Sequence, residues 1–177
     1  MKPRLAVRPA DLDDLTSIVE LRLALLREYS DHPLYGRLRP DARARAYELY
    51  RGQLTAHNEQ LFVAELDGVV VGVLRCVDTL SSPLLYPERY CYVSSVYVRP
   101  PARRKGVLRA LLAAAEDWCE QRGIDEMRLH NATSSAVAEQ TWSALGFEVV
   151  EHVRRRQTKV SPSADSREHD HDHVEAH

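Results

Sequence analysis

Arg103, Arg104, Lys105 and Arg109 crowd around Gly106 where the segment RPPARRKGVLRALLAAAEDW turns from a strand end into a long helix. The N-terminal end of a helix already carries the positive pole of the backbone dipole, so cations there cost stability unless an anion joins them. The first-turn N–H groups lack intrahelical acceptors, and a glycine among them lets an anion approach the chain closely. The chemistry this turn suits is phosphate binding. Two other phosphate patterns, G-x-x-x-x-G-K-[ST] and G-x-G-x-x-G after a strand, are missing, so neither a nucleoside triphosphatase nor a dinucleotide fold is supported.

Other residues able to do chemistry are scattered. YCYVSSVYVRP, just before the cationic turn, holds Tyr92, Ser94 and Tyr97, and His130 closes a later β-rich stretch. Histidine titrates near neutrality and serves as a proton acceptor, or it simply ends a strand with its ring satisfied. Tyr29, Tyr35, Tyr47 and Tyr50 lie in the first two helical stretches and their connection, as pocket, core or rim residues. Cys76, Cys91 and Cys119 are odd in number and show no C-x-x-C spacing, which argues against a disulfide framework and a zinc knuckle and for buried, inert thiols. Arg154, Arg155 and Arg156 would alternate faces on a strand and so cannot form one phosphate clamp. His169, His171 and His173 alternate with acids; they read as part of an unstructured tail, with a metal site on an extended chain as the rival.

The elements that must position these residues follow from periodicity. LAVRPA reads as a strand, and Asp11 caps a helix through DLDDLTSIVELRLALLREY that ends before His32 and Pro33. A second helix, DARARAYELYRGQL, precedes the strand QLFVAEL, a hairpin turn at Asp67 and Gly68, and the return strand VVVGVLRCVDT. SSPLLYPE is a loop, and YCYVSSVYVRP is a central strand. In the next helix Leu108, Leu111, Leu112, Ala115, Trp118 and Cys119 share one buried stripe, and Gly123 stops it. IDEMRLHNA reads as a strand, SAVAEQTWSAL as a short helix ended by Gly146, and FEVVEHVRRRQTKV as strand material. The order β-α-α-β-β-β-α-β-α-β does not alternate as a doubly wound fold does. An α/β (α+β) domain with a mixed central sheet and helices on both faces is expected, over residues 1–160, with an acidic, His-rich disordered tail over 161–177.

With VYVRP before it, RRKGVL resembles the acyl-CoA loop of the GNAT family of N-acetyltransferases, in which [QR]-x-x-G-x-[GA] follows a strand ending like LYVxP. The later WSALGF is similar to that family's LYExxGF segment, and the likeness runs over roughly residues 5–155 in element order. It implies transfer of an acetyl group from acetyl-CoA, as cosubstrate, to a primary amine by direct attack in a ternary complex. The cofactor would rest on the backbone of Arg103, Arg104, Lys105, Gly106, Val107, Leu108 and Arg109, with the pantetheine arm paired along Val96, Tyr97 and Val98 and a second contact at Asn131. The Val98 N–H would be the oxyanion donor. Leu108 stands where the family has Gly or Ala, so its side chain must turn into the core. Trp142 stands where many members carry a tyrosine acid, and indole is no usable acid near neutral pH. Tyr92 stands at the position of a family glutamate base, and a phenol is no ordinary base at neutrality. Tyr92 and Ser94, with Tyr97, would hold a water that removes the proton, with His130 the alternative.

Composition bounds the partners. A chain of 177 residues that is 44% hydrophobic buries one sizeable core. The net charge of −2 divides into −4 on residues 161–177 and +2 on the rest, too mild for a nucleic-acid binder. No uninterrupted apolar run of about 18 residues and no signal-like start are present, so a cytoplasmic protein outside the membrane is expected. The acceptor is a small-molecule amine or a protein amine, and the family resemblance leaves a homodimer open. Two rivals remain: a GNAT-fold protein that holds acyl-CoA without turning it over, and metal binding through the His-rich tail.

Overall fold

The computed structural model describes residues 3–158 except 133. Contacts divide the chain into a unit reaching Glu139 and a second beginning at Gln140. The first unit starts with β1 (Leu5–Pro9), a 3-10 turn (Leu12–Asp14), α1 (Leu15–Glu28) and α2 (Ala42–Leu54). It continues with β2 (Glu59–Leu66), β3 (Val69–Leu80), β4 (Arg89–Val98), α3 (Val107–Gln121) and β5 (Met127–Leu129), and α4 (Ala136–Ala144) spans the boundary.

The strands form one sheet in the order β1-β2-β3-β4-β5, antiparallel through β4, with β5 parallel to it. Asp67 and Gly68, at φ of 50° and 81°, make the tight β2–β3 hairpin that the sequence signalled. Alternation along the strands separates two faces. Leu61, Val63, Val73 and Tyr97 pack with Ile18, Val19, Leu21 and Tyr50 of α1 and α2. On the opposite face α3 lies so close that a Cβ on Gly72 would sit 3.1 Å from Val107 Cγ1 and 3.2 Å from Leu111 Cδ1. Helices therefore cover both faces of a mixed sheet.

The expected cap at Asp11 is present, as a reciprocal capping box. Its carboxylate accepts from the Asp13 N–H at 2.9 Å, while Asp14 accepts from the Asp11 N–H at 3.0 Å. The buried stripe of α3 begins at Val107, one residue before the Leu108 expected from spacing; Val107 is fully buried and Leu108 only partly. Gly123, at φ 65°, ends the helix as expected, with the Gly123 and Ile124 N–H groups bonded back to Glu120 and Cys119.

The last expected strand does not form among the described residues: 147–158 carry no strand, and almost all of them are exposed. Their alternating letters meet the pattern requirement, but a strand exists only as a ladder with a partner, which local pattern does not supply. In the second unit the chain turns at Gly146, and the Phe147 N–H returns to the Trp142 carbonyl at 3.0 Å. Residues 159–177, and with them the His-rich tail, lie outside the described residues.

Candidate active site

A bulge in β4 shapes the site. Arg75 pairs with Ser94 but Val73 pairs with Tyr97, so Ser95 and Val96 together oppose Leu74 alone. Ser95 takes the left-handed conformation, φ 53°, and its Oγ lies 3.0 Å from the Tyr50 hydroxyl. Before the bulge β4 pairs with β5 over Cys91–Val93 and Met127–Leu129; past it, no described strand pairs with the outer edge of β4 through Val98. The Arg99 N–H bonds to the Val71 carbonyl at 2.8 Å, so by antiparallel alternation the N–H and C=O of Val98 point to that free edge. Arg103 Nε donates to this carbonyl at 2.9 Å and leaves the N–H open.

The cationic turn lies immediately beyond. Arg104 and Gly106 take φ of 61° and 81°, and a Cβ on Gly106 would meet nothing within 4 Å, so this side of the glycine faces open space. The first bond of α3 runs from the Ala110 N–H to the Gly106 carbonyl, leaving the N–H groups of Lys105 through Arg109 without a backbone acceptor. The side chains of Arg104, Lys105 and Arg109 are exposed and form no ion pair with another described residue. Arg103 differs from these three. Its guanidinium binds both carboxylate oxygens of Glu28, at 2.8 and 3.0 Å, and stacks over Tyr97, whose hydroxyl donates to Glu28 at 2.7 Å. Arg103 thus ties the end of β4 to the end of α1, and only its backbone is free for a ligand. Glu28 was missed by sequence reasoning because it is one charge among many on an amphipathic helix, far along the chain from Arg103.

Tyr92 and Ser94 share the α1 side of β4, where they are partly open, while Cys91 and Val93 are fully buried on the α3 side. The Tyr92 hydroxyl lies 3.1 Å from His130 Nδ1, with the two rings edge to face. Burial, with help from nearby Tyr35, pushes the Tyr92 phenol above its ordinary range against the pull of Arg75 and Arg22. It stays protonated and shares a hydrogen bond with the imidazole. Ser94 Oγ accepts from Arg75 at 3.1 Å, and Arg75 also binds Glu59 at 2.7 Å. Asn131, just past the end of β5, has no hydrogen-bond partner among the described residues.

The four tyrosines separate. Tyr50 belongs to the core, Tyr47 is half-buried with its hydroxyl toward Thr16, and Tyr29 and Tyr35 form a half-buried rim cluster with His32, on which Tyr35 stacks at 4.5 Å. Trp142 packs edge-on against Phe147, with centroids 5.4 Å apart, a packing role for the residue in the acid position. Among the described residues no group of His, Cys, Asp and Glu is placed to hold a metal ion, and no helix is long and apolar enough to cross a membrane.

A bulged strand with a free edge, running into a helix whose N-terminus is open and cationic, is the arrangement that the sequence comparison also recognises: residues 22–147 match the acetyltransferase (GNAT) family. The chain belongs to the GNAT family. Its enzymes are acyl-CoA-dependent N-acetyltransferases, and this chain is one of them. It is 30% identical over 110 residues to an aminoglycoside N(6')-acetyltransferase type 1 of Salmonella typhimurium, covering 56% of this chain and 70% of that protein. It is 28% identical over 165 residues to the enzyme of the same name from Stenotrophomonas maltophilia, covering 89% and 95%. The GNAT fold is matched by a predicted acetyltransferase from Clostridium acetobutylicum solved with acetyl-CoA, at TM-score 0.71 and 16% identity over 87% of this chain and 96% of that one. An aminoglycoside N-acetyltransferase in complex with CoA superimposes at TM-score 0.70 and 23% identity, over 90% and 98%.

Proposed function

We propose that this GNAT enzyme transfers the acetyl group of acetyl-CoA to a primary amine of a small molecule by direct attack, with both substrates bound at once. The observation that carries the reading is the free edge of β4 past the bulge, running straight into the open N-terminus of α3. The residues present fit the cosubstrate. The N–H groups of Lys105, Gly106, Val107, Leu108 and Arg109, backed by the free cations Arg104, Lys105 and Arg109, suit a pyrophosphate. Backbone groups of Val96 and Val98 on the unpaired edge suit an extended amide chain, which would join as an added strand beside Tyr97; Asn131 flanks that edge. When bound, acetyl-CoA supplies the activated thioester.

The protein's own part is positioning and proton transfer. The Val98 N–H, fixed in the strand, is a ready donor for an oxygen that gains negative charge, and such a preorganised donor is worth about 3–4 kcal/mol of barrier. Tyr92 is held protonated and bonded to His130, so it works as a relay. Its oxygen would accept the proton leaving the amine as its own passes to His130 Nδ1, and the imidazolium so formed would hold the proton that the departing CoA thiolate takes up when the carbon–sulfur bond breaks. Ser94, oriented by Arg75, supplies a further polar group on the same face.

The decisive experiment is calorimetric titration of acetyl-CoA into the wild-type protein and Gly106→Asp, with the fold checked by circular dichroism. The carboxylate would project into the open space beside the N–H groups, and the expected result is micromolar binding to the wild type and none to the folded variant. Equal binding in both would remove the loop assignment. Binding without acetyl transfer to any amine of a broad panel would make this a non-catalytic acyl-CoA-binding protein.

A further inference from the structure

We propose that Arg22 receives a carboxylate of the acceptor, so that the amine acetylated belongs to an amino-acid-like molecule rather than to a polycation. The inference rests on the acetyltransfer reading above and names its substrate class. The acceptor must approach β4 from the α1 side, because Cys91 and Val93 seal the α3 side, at 0% and 1% exposure. On that open side stand Tyr92 and Ser94 of β4, Tyr35 of the α1–α2 connection, Arg75 of β3 and Arg22 of α1.

The charges of this face are nearly all matched. Glu28 is held by Arg103 and Tyr97, Glu59 by Arg75, and Glu126 by Arg128, whose guanidinium also covers Tyr90 at 4.0 Å. None of these carboxylates is left to bind a cationic substrate. Arg22 has no partner here: it is half-buried, acts on Tyr92 electrostatically, and is joined to no described residue by a hydrogen bond or ion pair. A guanidinium without a protein partner on this face is free to take a ligand, and its planar fork fits a carboxylate through two parallel N–H bonds. On the helix Arg22 lies two turns from Tyr29, on the same stripe, and Tyr29 contacts Tyr35 at 6.1 Å. Arg22 thus shares this face with the aromatic cluster and the Tyr92–His130 pair.

The test uses matched acceptors, 4-aminobutyrate and 6-aminohexanoate, each beside its carboxamide. Kanamycin serves as the polycation, and Asp-Ala-Ala-Ala and Ala-Ala-Ala-Ala amides as peptide amines with and without a carboxylate. Product is quantified by mass spectrometry. The proposal expects kcat/KM for a carboxylate acceptor to exceed that of its amide by about 10- to 100-fold, the worth of a charge-assisted pair. Arg22→Gln should erase that preference while leaving acetyl-CoA binding within about twofold, and Arg22→Lys should restore part of it. A preference for free amino carboxylates over the Asp peptide is expected; the reverse would place the carboxylate on a protein terminus and overturn the substrate class. Equal use of acid and amide, preference for kanamycin, or equal losses on both in Arg22→Gln overturns it. Should no amine be acetylated, the catalytic reading fails by itself. Titration of 6-aminohexanoate and its amide into the CoA-loaded protein then decides the matter: acid binding lost in Arg22→Gln supports the proposal, and equal binding overturns it.

Discussion

Tyr92 and His130 were both legible in the sequence as polar residues near a cationic turn, but their partnership was not. They lie 38 positions apart and meet only because β4 and β5 run parallel for three residues and His130 immediately follows. The pair makes a definite kinetic prediction. Tyr92→Phe removes the phenol oxygen proposed as the relay while keeping the ring, so kcat should fall by about 100-fold with the acetyl-CoA KM unchanged. His130→Gln keeps a hydrogen-bonding group but cannot carry the proton, so kcat should fall by a comparable factor with the acetyl-CoA KM again unchanged. A parallel shift in both parameters would place the two residues in structure rather than in proton transfer. Arg103 teaches the converse lesson. It counted as one of four equivalent cations in the sequence, yet the fold gives its side chain to Glu28 and to the Val98 carbonyl, and leaves the other three exposed and without an ion pair among the described residues.

At the scale of elements, the entry to α1 shows how a local signal acquires tertiary support. Asp14 caps the backbone at Asp11 and also receives two bonds from Arg8 of β1, at 2.7 and 2.9 Å. Burial alone would raise its carboxyl, but the bonds from Arg8 and the Asp11 N–H, with the charge of Arg8, outweigh it and hold the carboxyl below its ordinary range. A carboxyl depressed in the folded state contributes stability that is full above its unfolded pKa and disappears as pH falls through the folded value. Asp14→Asn should therefore cost about 2 kcal/mol at pH 7 in denaturant melts, with the gap to wild type closing below about pH 4. A gap independent of pH would show that the charge of Asp14 contributes nothing. The α1–α2 connection, in contrast, is set by close packing. A Cβ on Gly36 would come within 1.9 Å of the Ser30 carbonyl oxygen, so Gly36→Ala should loosen the Tyr29–His32–Tyr35 cluster. The expected readout is a raised KM for the acceptor, with acetyl-CoA binding retained.

Across the whole molecule, three cysteines remote in sequence converge on the α3 side of the sheet. Cys76, Cys91 and Cys119 are all buried. A bond with Cys119 draws the Cys91 thiol down, but contact with Cys76 and burial prevail and push it up to about 12; Cys119 is raised by its bond with Cys91 and by burial. Thiolate is the reactive form, so these groups are inert in the folded protein. Iodoacetamide at pH 8 should label none of the three in native protein and all three in 6 M guanidinium, the native labelling rate following global unfolding. Fast labelling of one cysteine under native conditions would reveal local opening at α3.

The sequence by itself determined most elements and the cationic glycine turn, because both are written in short-range terms: helical periodicity, the Asp11 cap, the Asp67–Gly68 turn, and a glycine set among cations after a strand. Near-neighbour sterics and hydrogen bonding settle such features locally. Tertiary structure decided what depends on distant partners. The β4 bulge needs β3 to define its register, the free edge needs β5 to stop at Leu129, and the pairings Tyr92–His130 and Arg103–Glu28 need the packed sheet and helices. It also decided against a strand within the described residues 147–158, whose alternating letters found no ladder, since a strand is a property of two segments and a sequence pattern belongs to one.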